Sequence, residues 1–213
     1  MKINTIAVIG AGTMGNGIAH VSATAGLDVI LVDVKQDFLD RAIKIITKNC
    51  DRMVKKEKIT EDDKNTLIGK IKTTTNLNDV AEADLIVEAA IEAEDLKLSL
   101  FKSLDEISKE GTIIASNTSS ISISKLASAT NRPELVIGMH FMNPVPMMKL
   151  VEIVKGLKTA QETIVTVVEL AKSLGKTPVL VNDYPGFVAN RILLPMINEA
   201  VYCLMEGIAD PES

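Results

Sequence analysis

The chain is poor in aromatic side chains, with four Phe, two Tyr and no Trp among 213 residues. Single-stranded nucleic-acid sites rely on aromatic rings on which bases stack, and nucleic-acid-binding domains usually present a basic surface. The scarcity of rings and the formal net charge of −5 argue against both features. Nucleic acid is therefore not an expected partner, although a local basic patch is compatible with this composition.

Cysteine and long apolar runs are also scarce. Cys50 and Cys203 are far apart and lack the spacing of metal ligands, so we expect two reduced thiols and no metal site. No apolar run approaches the roughly 18 residues that span a bilayer, and the N-terminus enters a strand without the anatomy of a signal peptide. We therefore expect a cytoplasmic protein without a membrane partner.

Short apolar runs alternate with longer amphipathic segments along most of the chain. The predicted strands are Ile3–Ile9, Asp28–Val32, Asp84–Ala89, Thr112–Ser116, Leu135–His140, Leu150–Val154 and Thr177–Val181. The predicted helices are Gly12–Ala25, Lys35–Lys56, Glu61–Lys70, Leu96–Ile107, Thr163–Leu174 and Phe187–Glu206. This alternation predicts an α/β fold on a doubly wound, mostly parallel sheet, with room for antiparallel pairing among the late strands.

The pattern changes at Asp183–Gly186, a turn-forming segment that contains Pro and Gly. We expect an α/β domain over residues 1–184 and the beginning of a helical domain over residues 185–213, whose first helix Pro195 should kink. The last residues, Asp210-Pro211-Glu212-Ser213, begin in the order of a helix start. This order predicts that the chain is a truncated form of a longer protein with a helical second domain.

A glycine motif follows the first predicted strand and opens the first predicted helix: Gly10-Ala11-Gly12-Thr13-Met14-Gly15. The first glycine allows a tight turn, the second lets the backbone approach a pyrophosphate, and the third packs helix on strand. Asp33 ends the second strand, where its carboxylate would bind the adenosine ribose and repel a 2′-phosphate. We therefore predict a Rossmann-like site for NAD rather than NADP, although Lys35 is close enough to soften this preference. The alternatives are FAD and glycines that serve packing alone.

Polar residues follow two neighbouring strands. The cluster Asn117-Thr118-Ser119-Ser120 follows Thr112–Ser116, and Leu135–His140 ends in one of only two histidines. Parallel strands bring their carboxyl ends together at the edge where α/β sheets bind ligands. An imidazole there suits proton transfer, whereas the alternative is a histidine satisfied by a backbone carbonyl. We expect no chemical role for His20, which lies within the first helix.

Six motifs, in order along the chain, resemble those of the 3-hydroxyacyl-CoA dehydrogenase family. They are Gly10–Gly15, Val87–Ala90, Ala115–Ser120, Gly138–Pro146, Met148–Glu152 and Pro185–Arg191. The resemblance covers essentially the whole chain and is greatest to bacterial short-chain members that act on 3-hydroxybutyryl-CoA. It implies NAD-dependent oxidation of (3S)-3-hydroxyacyl-CoA to 3-ketoacyl-CoA, the reverse reduction, and a place in fatty acid and butanoate metabolism. It also implies a helical C-terminal domain that carries most of the contact of a homodimer or higher homo-oligomer.

The resemblance assigns catalytic roles to four residues. His140 is the expected general base, Ser119 the expected partner of the C3 oxygen, and Asn190 an amide donor near the reacting thioester. Glu152 lies within an apolar strand, where a carboxylate needs a partner, and the resemblance implies that it orients His140. The alternative is an exposed Glu on an edge strand.

Cofactor and substrate contacts are expected from further residues. The resemblance implies NAD contacts for Glu92 and Lys97, and Asn117 and Asn143 resemble cofactor positioners; a solvated Lys97 or a capping Asn is the alternative. Cations recur every four residues on the second predicted helix and could meet the phosphates of coenzyme A, or could form a solvated face. These cations are Lys44, Lys48, Arg52 and Lys56. By family position, Lys56 is the best candidate, followed by Asn49.

Two other functions are compatible with the sequence. The chain could be a cofactor-binding module without turnover, because the helical domain would be largely absent. It could also be another β-hydroxyacid dehydrogenase, although such enzymes commonly use a lysine base from the second domain, and the His140/Glu152 pair argues against this class.

Overall fold

An eight-stranded sheet forms the centre of the computed structural model, which describes residues 2–213. The strands are β1 (Thr5–Ile9), β2 (Asp28–Val32), β3 (Ile71–Thr74), β4 (Leu85–Glu88), β5 (Ile113–Ser116), β6 (Val136–Phe141), β7 (Leu150–Lys155) and β8 (Thr177–Asn182). The helices are α1 (Thr13–Thr24), α2 (Gln36–Lys55), α3 (Glu61–Gly69), α4 (Glu94–Ile107), α5 (Ile123–Ala127), α6 (Gln161–Ser173) and α7 (Ala189–Met205), with 3₁₀ turns at Leu77–Val80 and Pro133–Leu135.

The strand order is β3-β2-β1-β4-β5-β6-β7-β8. All neighbouring pairs are parallel except β6 and β7, which run antiparallel. The order reverses between β1 and β4, and such a reversal opens a crevice at the carboxyl ends of the strands. The predicted Rossmann-like, mostly parallel α/β fold is therefore confirmed, and the two late strands β7 and β8 run antiparallel to the other six.

Helices cover both faces of the sheet, which explains why the central strands are apolar on both sides. On one face, Ile18 of α1, Ile46 of α2 and Val167 of α6 belong to a continuous buried cluster. On the other, Phe101 of α4 and Leu126 of α5 belong to a second cluster. The sheet is thus a rigid platform between two cores.

Several features of the fold differ from the sequence prediction, among them one strand and the starts of two helices. Strand β3 was not predicted, because Lys72 and two threonines dilute its apolar pattern at the sheet edge, where it pairs only with β2. Helix α4 begins two residues earlier than expected, with Glu94 and Asp95 in its first turn. Helix α7 begins later, at Ala189, because Gly186 and Phe187 take positive φ angles of 80° and 48° that no helix accommodates.

Helix α7 is the least covered element of the fold. It continues through Pro195 without interruption, and none of its residues is buried. Apolar side chains such as Ile192 and Met205 are 62% and 74% exposed. Despite this apolar character, no helix within residues 2–213 is both long and apolar enough to cross a membrane.

Candidate active site

Four strand ends meet at one edge of the sheet. The register aligns Ile9 of β1 with Glu88 of β4, Glu88 with Ser116 of β5, and Ser116 with Gly138 of β6. The residues that follow these strands therefore line one crevice. The glycine motif, the hydroxyl cluster and His140 all belong to it.

The three glycines of the first loop have three different environments. Gly10 has φ +100°, and a Cβ there would lie 2.6 Å from the carbonyl oxygen of Ala89. A Cβ on Gly15 would lie 1.7 Å from the Gly10 oxygen, whereas one on Gly12 would meet nothing within 4 Å. Gly10 and Gly15 thus permit close backbone packing, while Gly12 faces open space that a ligand can approach.

The loop opens onto the N-terminus of α1 without an internal cap. Gly12 is the N-cap and offers no side-chain acceptor to the first turn, so the amides at Thr13 and Met14 are available to an anion. Asp33, at the end of β2, accepts a 2.7 Å hydrogen bond from the N–H of Ala11. The open glycine, the uncapped helix and the carboxylate fit a dinucleotide. Within residues 2–213 no cluster of metal-ligating side chains is present.

His140, Glu152 and Ser119 form a continuous hydrogen-bonded set. The Nδ1 atom of His140 lies 2.8 Å from Glu152 Oε2, and its Nε2 atom lies 3.0 Å from Ser119 Oγ. His140 is 5% exposed and Glu152 is 1% exposed. The ring is therefore held by a carboxylate on one side and presents its other nitrogen to a hydroxyl at the crevice.

The antiparallel pairing of β6 and β7 explains this contact. His140 and Glu152 are direct cross-strand partners, and side chains on opposed residues share one face of the sheet a few ångströms apart. Strand β8 covers the other side of β7, so Glu152 is not on an edge strand and is not exposed, and the alternative of an exposed edge-strand Glu is wrong.

The other oxygen of Glu152 holds the start of α7. Glu152 Oε1 accepts hydrogen bonds of 2.9 Å each from the N–H groups of Val188 and Ala189. Phe187 packs its ring edge-on against His140, with ring centroids 5.5 Å apart. Asn190 is the next residue after Ala189 and is half-buried, so its backbone lies one residue from the amides that bond to Glu152.

Glu92 binds the hydroxyl cluster, residues 117–120, which forms the loop around Ser119. Its Oε1 atom accepts hydrogen bonds from Thr118 Oγ1, the Ser119 N–H and Ser120 Oγ. Burial would raise the pKa of Glu92, but these bonds and the charge of Lys97 outweigh it and lower the pKa below its usual value. The side chain predicted as a cofactor contact is therefore also an anchor of the Ser119 loop.

Lys97 is buried, so the alternative of a solvated lysine is wrong. It is 1% exposed. Its Nζ atom donates to Glu88 and to the Ala90 carbonyl, and lies 3.5 Å from Glu92. Glu88 also accepts from Ser116. Glu88 belongs to the Val87–Ala90 motif, but no role was predicted for it, although a carboxylate inside an apolar strand was the same signal that drew attention to Glu152.

The two asparagines predicted to position the cofactor have different settings. Asn117 Oδ1 accepts a 2.9 Å hydrogen bond from the Phe141 N–H, which ties the end of β5 to the end of β6. Asn143 is exposed two residues after β6. Both lie at the edge that carries the glycine loop, and their cofactor contacts stay predictions.

The cations of α2, together with Lys56 at its C-cap, form an exposed stripe opposite the buried face of the helix, which contains Leu39, Ile46 and Cys50. Within the part of the chain that the structure describes, none of the four stripe residues is in an ion pair. They are Lys44, Lys48, Arg52 and Lys56. Asn49 is half-buried on the same helix. The stripe is free to meet an anion or water.

The second histidine lies in the core, away from hydroxyl and carboxylate partners. His20 is 2% exposed and its Nε2 atom is 3.7 Å from Cys50 Sγ. Its Nδ1 atom has no hydrogen-bond partner within residues 2–213. Burial, and then the charge of Lys176, lower the pKa of His20. This residue is accordingly a neutral core histidine.

Comparison with known proteins identifies the family. The profile described as "3-hydroxyacyl-CoA dehydrogenase, NAD binding domain" matches residues 5–184, and the one described as "3-hydroxyacyl-CoA dehydrogenase, C-terminal domain" matches residues 186–213. The chain belongs to the 3-hydroxyacyl-CoA dehydrogenase family. It is thus an NAD-dependent oxidoreductase of 3-hydroxyacyl-CoA, and the alternative of a lysine-dependent β-hydroxyacid dehydrogenase is wrong.

Individual relatives are similar over nearly the whole chain. A probable 3-hydroxybutyryl-CoA dehydrogenase of Deinococcus radiodurans is 54% identical over 97% of this chain and 74% of its own length. The 3-hydroxybutyryl-CoA dehydrogenase of Clostridioides difficile is 49% identical over 97% of this chain and 74% of its own. The crystal structure of (S)-3-hydroxybutyryl-CoA dehydrogenase PaaH1 from Ralstonia eutropha is 50% identical, has a TM-score of 0.96, and is matched over 99% of this chain and 75% of that one.

Proposed function

We propose that this 3-hydroxyacyl-CoA dehydrogenase oxidises short-chain (3S)-3-hydroxyacyl-CoA, with 3-hydroxybutyryl-CoA as substrate and acetoacetyl-CoA as product, and catalyses the reverse reduction. The observation that carries the proposal is the Glu152–His140–Ser119 set at the sheet edge that holds the glycine loop. The names of the similar proteins support the choice of a four-carbon acyl group.

The residues of this chain supply the acid–base half of the reaction. Bound NAD would supply the acceptor for the hydride that leaves C3. His140 Nε2 takes the proton of the C3 hydroxyl as the carbonyl forms, since that nitrogen faces the crevice. Glu152 then stabilises the imidazolium through Nδ1, at 2.8 Å. In the reverse direction the imidazolium returns the proton to the C3 oxygen.

Two neutral donors complete the proposed catalytic set. Ser119 Oγ lies 3.0 Å from His140 Nε2, so a C3 oxygen near both atoms would lie between a hydroxyl and the base. Asn190, at the start of α7, would donate its amide to the thioester or to a developing oxyanion without titrating. Neither donor changes charge as the proton moves, which leaves His140 as the acid–base group.

The cofactor would lie across the crevice between β1 and β4. The amides of Gly12, Thr13 and Met14 would hold the pyrophosphate, and Asp33 would accept hydrogen bonds from the adenosine ribose. The nicotinamide side would meet four residues, which are Glu92, Lys97, Asn117 and Asn143. The Asp33 carboxylate would repel a 2′-phosphate, which supports NAD over NADP.

Coenzyme A would bind along α2. The unpaired stripe offers positive charge to its phosphates, with Lys56 as the main contact and Asn49 as the second. Charge reversal at Lys56 should raise the KM for acetoacetyl-CoA and leave the Kd for NADH unchanged. An unchanged KM would leave the stripe as a solvated face.

A cofactor-binding module without turnover is the second candidate, favoured by the exposed apolar face of α7. Fluorescence titration with NADH, combined with acetoacetyl-CoA-dependent loss of NADH absorbance, separates the two functions. Turnover supports the dehydrogenase, whereas tight NADH binding without turnover supports the module. A series of 3-ketoacyl-CoA lengths with NADH and NADPH tests the chain-length and cofactor preferences, and maximal activity beyond four carbons would contradict the proposed substrate.

The same apolar face supports a proposal about assembly. We propose that the protein is a homodimer or higher homo-oligomer, because exposed apolar side chains along one helix are typical of an interaction surface. The proposed location is cytoplasmic. Light scattering after size exclusion tests the proposed assembly, and a monomeric protein would contradict it.

A further inference from the structure

Asp183 links the segment between β8 and α7 to the loop of the proposed catalytic serine. Its carboxylate accepts hydrogen bonds from the N–H groups of Ile123 and Ser124, at 3.0 and 2.7 Å, and from Ser122 Oγ at 2.7 Å. These partners are about 60 residues away in the chain. The sequence pattern around Asp183 predicts only a turn.

The three partners of Asp183 are residues 122–124, which lie three to five positions after Ser119. Thr118 Oγ1 accepts hydrogen bonds from the N–H groups of Ser120 and Ile121, which makes a tight turn around Ser119. Glu92 fixes the near side of this turn through its bonds to the hydroxyl loop. Asp183 fixes the far side, where the chain enters α5.

The same short segment also contacts the other half of the proposed catalytic set. Four residues after Asp183, Phe187 packs against His140, and the next two N–H groups bond to Glu152. Residues 183–189 therefore hold both partners of the Ser119–His140 hydrogen bond. A shift of this segment would move the hydroxyl and the imidazole separately.

We infer that Asp183 is a positioning residue that holds Ser119 Oγ against His140 Nε2. This inference rests on the proposed function of Ser119 and His140, and it adds a residue outside the set expected from the family resemblance. Asp183 acts through the backbone of residues 119–124, so it need not touch substrate or cofactor.

An ionised carboxylate is purely an acceptor and can take all three donors. Burial raises the pKa of Asp183, but the hydrogen bonds from Ser124 and Ser122 outweigh burial and lower the pKa. The anion is therefore the stable form at neutral pH. Replacement by Asn exchanges one acceptor oxygen for a donor and should therefore break at least one of the three hydrogen bonds.

Asp84 provides a matched control at the opposite edge of the sheet. It accepts hydrogen bonds from the N–H groups of Asn4 and Thr5 and from Lys109 Nζ. Like Asp183, it holds two amides and one side chain, and its pKa is also lowered: hydrogen bonds, first from Lys109, outweigh the raising effect of burial. Asp84→Asn should therefore match the structural cost of Asp183→Asn without reaching the crevice.

Imidazole nitrogen NMR of the 213-residue protein tests the inference without requiring turnover. The chain has only two histidines. The resonances that remain in a His20→Gln variant therefore belong to His140. We expect Asp183→Asn to shift the His140 Nε2 resonance in the same direction as Ser119→Ala, while Asp84→Asn leaves it unchanged. An unshifted resonance in a folded Asp183→Asn variant would overturn the inference.

A double-mutant cycle on kcat supplies the second test. Asp183→Asn should lower kcat by about tenfold, as expected for one misplaced hydrogen bond, and should add nothing to the loss caused by Ser119→Ala. Additive losses would contradict action through Ser119. If the wild-type chain lacks turnover while the NMR shift is present, the proposed function fails and the positioning role stands.

A milder variant keeps the inference testable if Asp183→Asn does not fold. Ser122→Ala removes one of the three hydrogen bonds to Asp183 and the bond that Ser122 Oγ accepts from the Lys125 N–H, and we expect a smaller shift of the same sign. A folded Ser122→Ala protein with an unshifted His140 Nε2 resonance would contradict the positioning role of Asp183.

Discussion

The two histidines of this chain occupy opposite chemical environments. His140 has a carboxylate at Nδ1 and a hydroxyl at Nε2, at the edge of the sheet. His20 is equally buried, but has a thiol at 3.7 Å and an Nδ1 atom without a partner within residues 2–213. Glu152 supplies a negative charge beside the ring of His140 when that ring takes up a proton, whereas burial opposes protonation of His20. Burial alone therefore does not identify a functional histidine; the partners of its two nitrogens do.

Replacing the two histidines should have the most different effects on turnover. His140→Ala should lower kcat by about 10²-fold or more, since it removes the general acid–base group, and NADH should still bind. Acetoacetyl-CoA reduction and NADH titration measure both effects. His20→Gln is the matched control, with kcat expected to stay near wild type. Near-normal turnover in His140→Ala would remove the assignment of the base.

The carboxylate partner should account for the next largest effect. Glu152→Gln keeps an acceptor for the α7 amides but removes the negative charge beside Nδ1, so kcat should fall by about 10²-fold or less, within the range of acid–base contributions. The pH dependence of kcat should change as well. A variant that loses stability but retains the wild-type pH profile would assign Glu152 to structure only.

The hydroxyl partner should contribute less than the carboxylate. Ser119→Ala removes one neutral hydrogen bond to the reacting oxygen, and kcat should fall by about tenfold. Ser128→Ala is a suitable control, because its hydroxyl donates to the Lys125 carbonyl away from the crevice. Equal activities of the two variants would contradict a catalytic role for Ser119.

The smallest effect should come from the core histidine, and it should affect stability. The pKa of folded His20 is lowered, first by burial, so below about pH 6.5, the ordinary value, the unfolded chain binds a proton that the folded chain resists. The free energy of unfolding should therefore decrease as pH falls from 7 to 5, with a slope no steeper than about 1.4 kcal/mol per pH unit.

Urea unfolding at several pH values measures this slope. In His20→Gln the slope should be shallower, because the variant has no group to protonate at this position. The same slope in both proteins would mean that other groups, and not His20, cause the loss.

The sequence predicted the parts of the fold and site that depend on local pattern. Parallel strands bring their ends to one edge, so the strand pattern alone was enough to place the glycine loop, Ser119 and His140 together. The fold class was confirmed, and the family was identified from motifs. The catalytic roles of the individual residues remain predictions, supported by the geometry.

Contacts between distant segments could not be predicted. The bonds from Glu152 to α7 and from Asp183 to Ser124 join residues 36 to 59 positions apart, and no periodicity records them. Positive φ at Phe187 also had no signal, because bulky residues seldom adopt it. The sequence does contain a signal for the buried Glu88–Lys97 pair, a carboxylate within an apolar strand, but no role was predicted from it.

The pairing of His140 with Glu152 across two adjacent strands has a consequence for protein engineering. The connection between these strands, residues 142–149, is mostly exposed, and it is anchored by Val145 and by Lys176, which donates to the carbonyls of Val145 and Met148. The strand ladder, rather than this connection, sets the distance between base and carboxylate. Apart from Val145 and the predicted cofactor contact Asn143, the loop can therefore be lengthened or recomposed while the proton-transfer pair keeps its geometry.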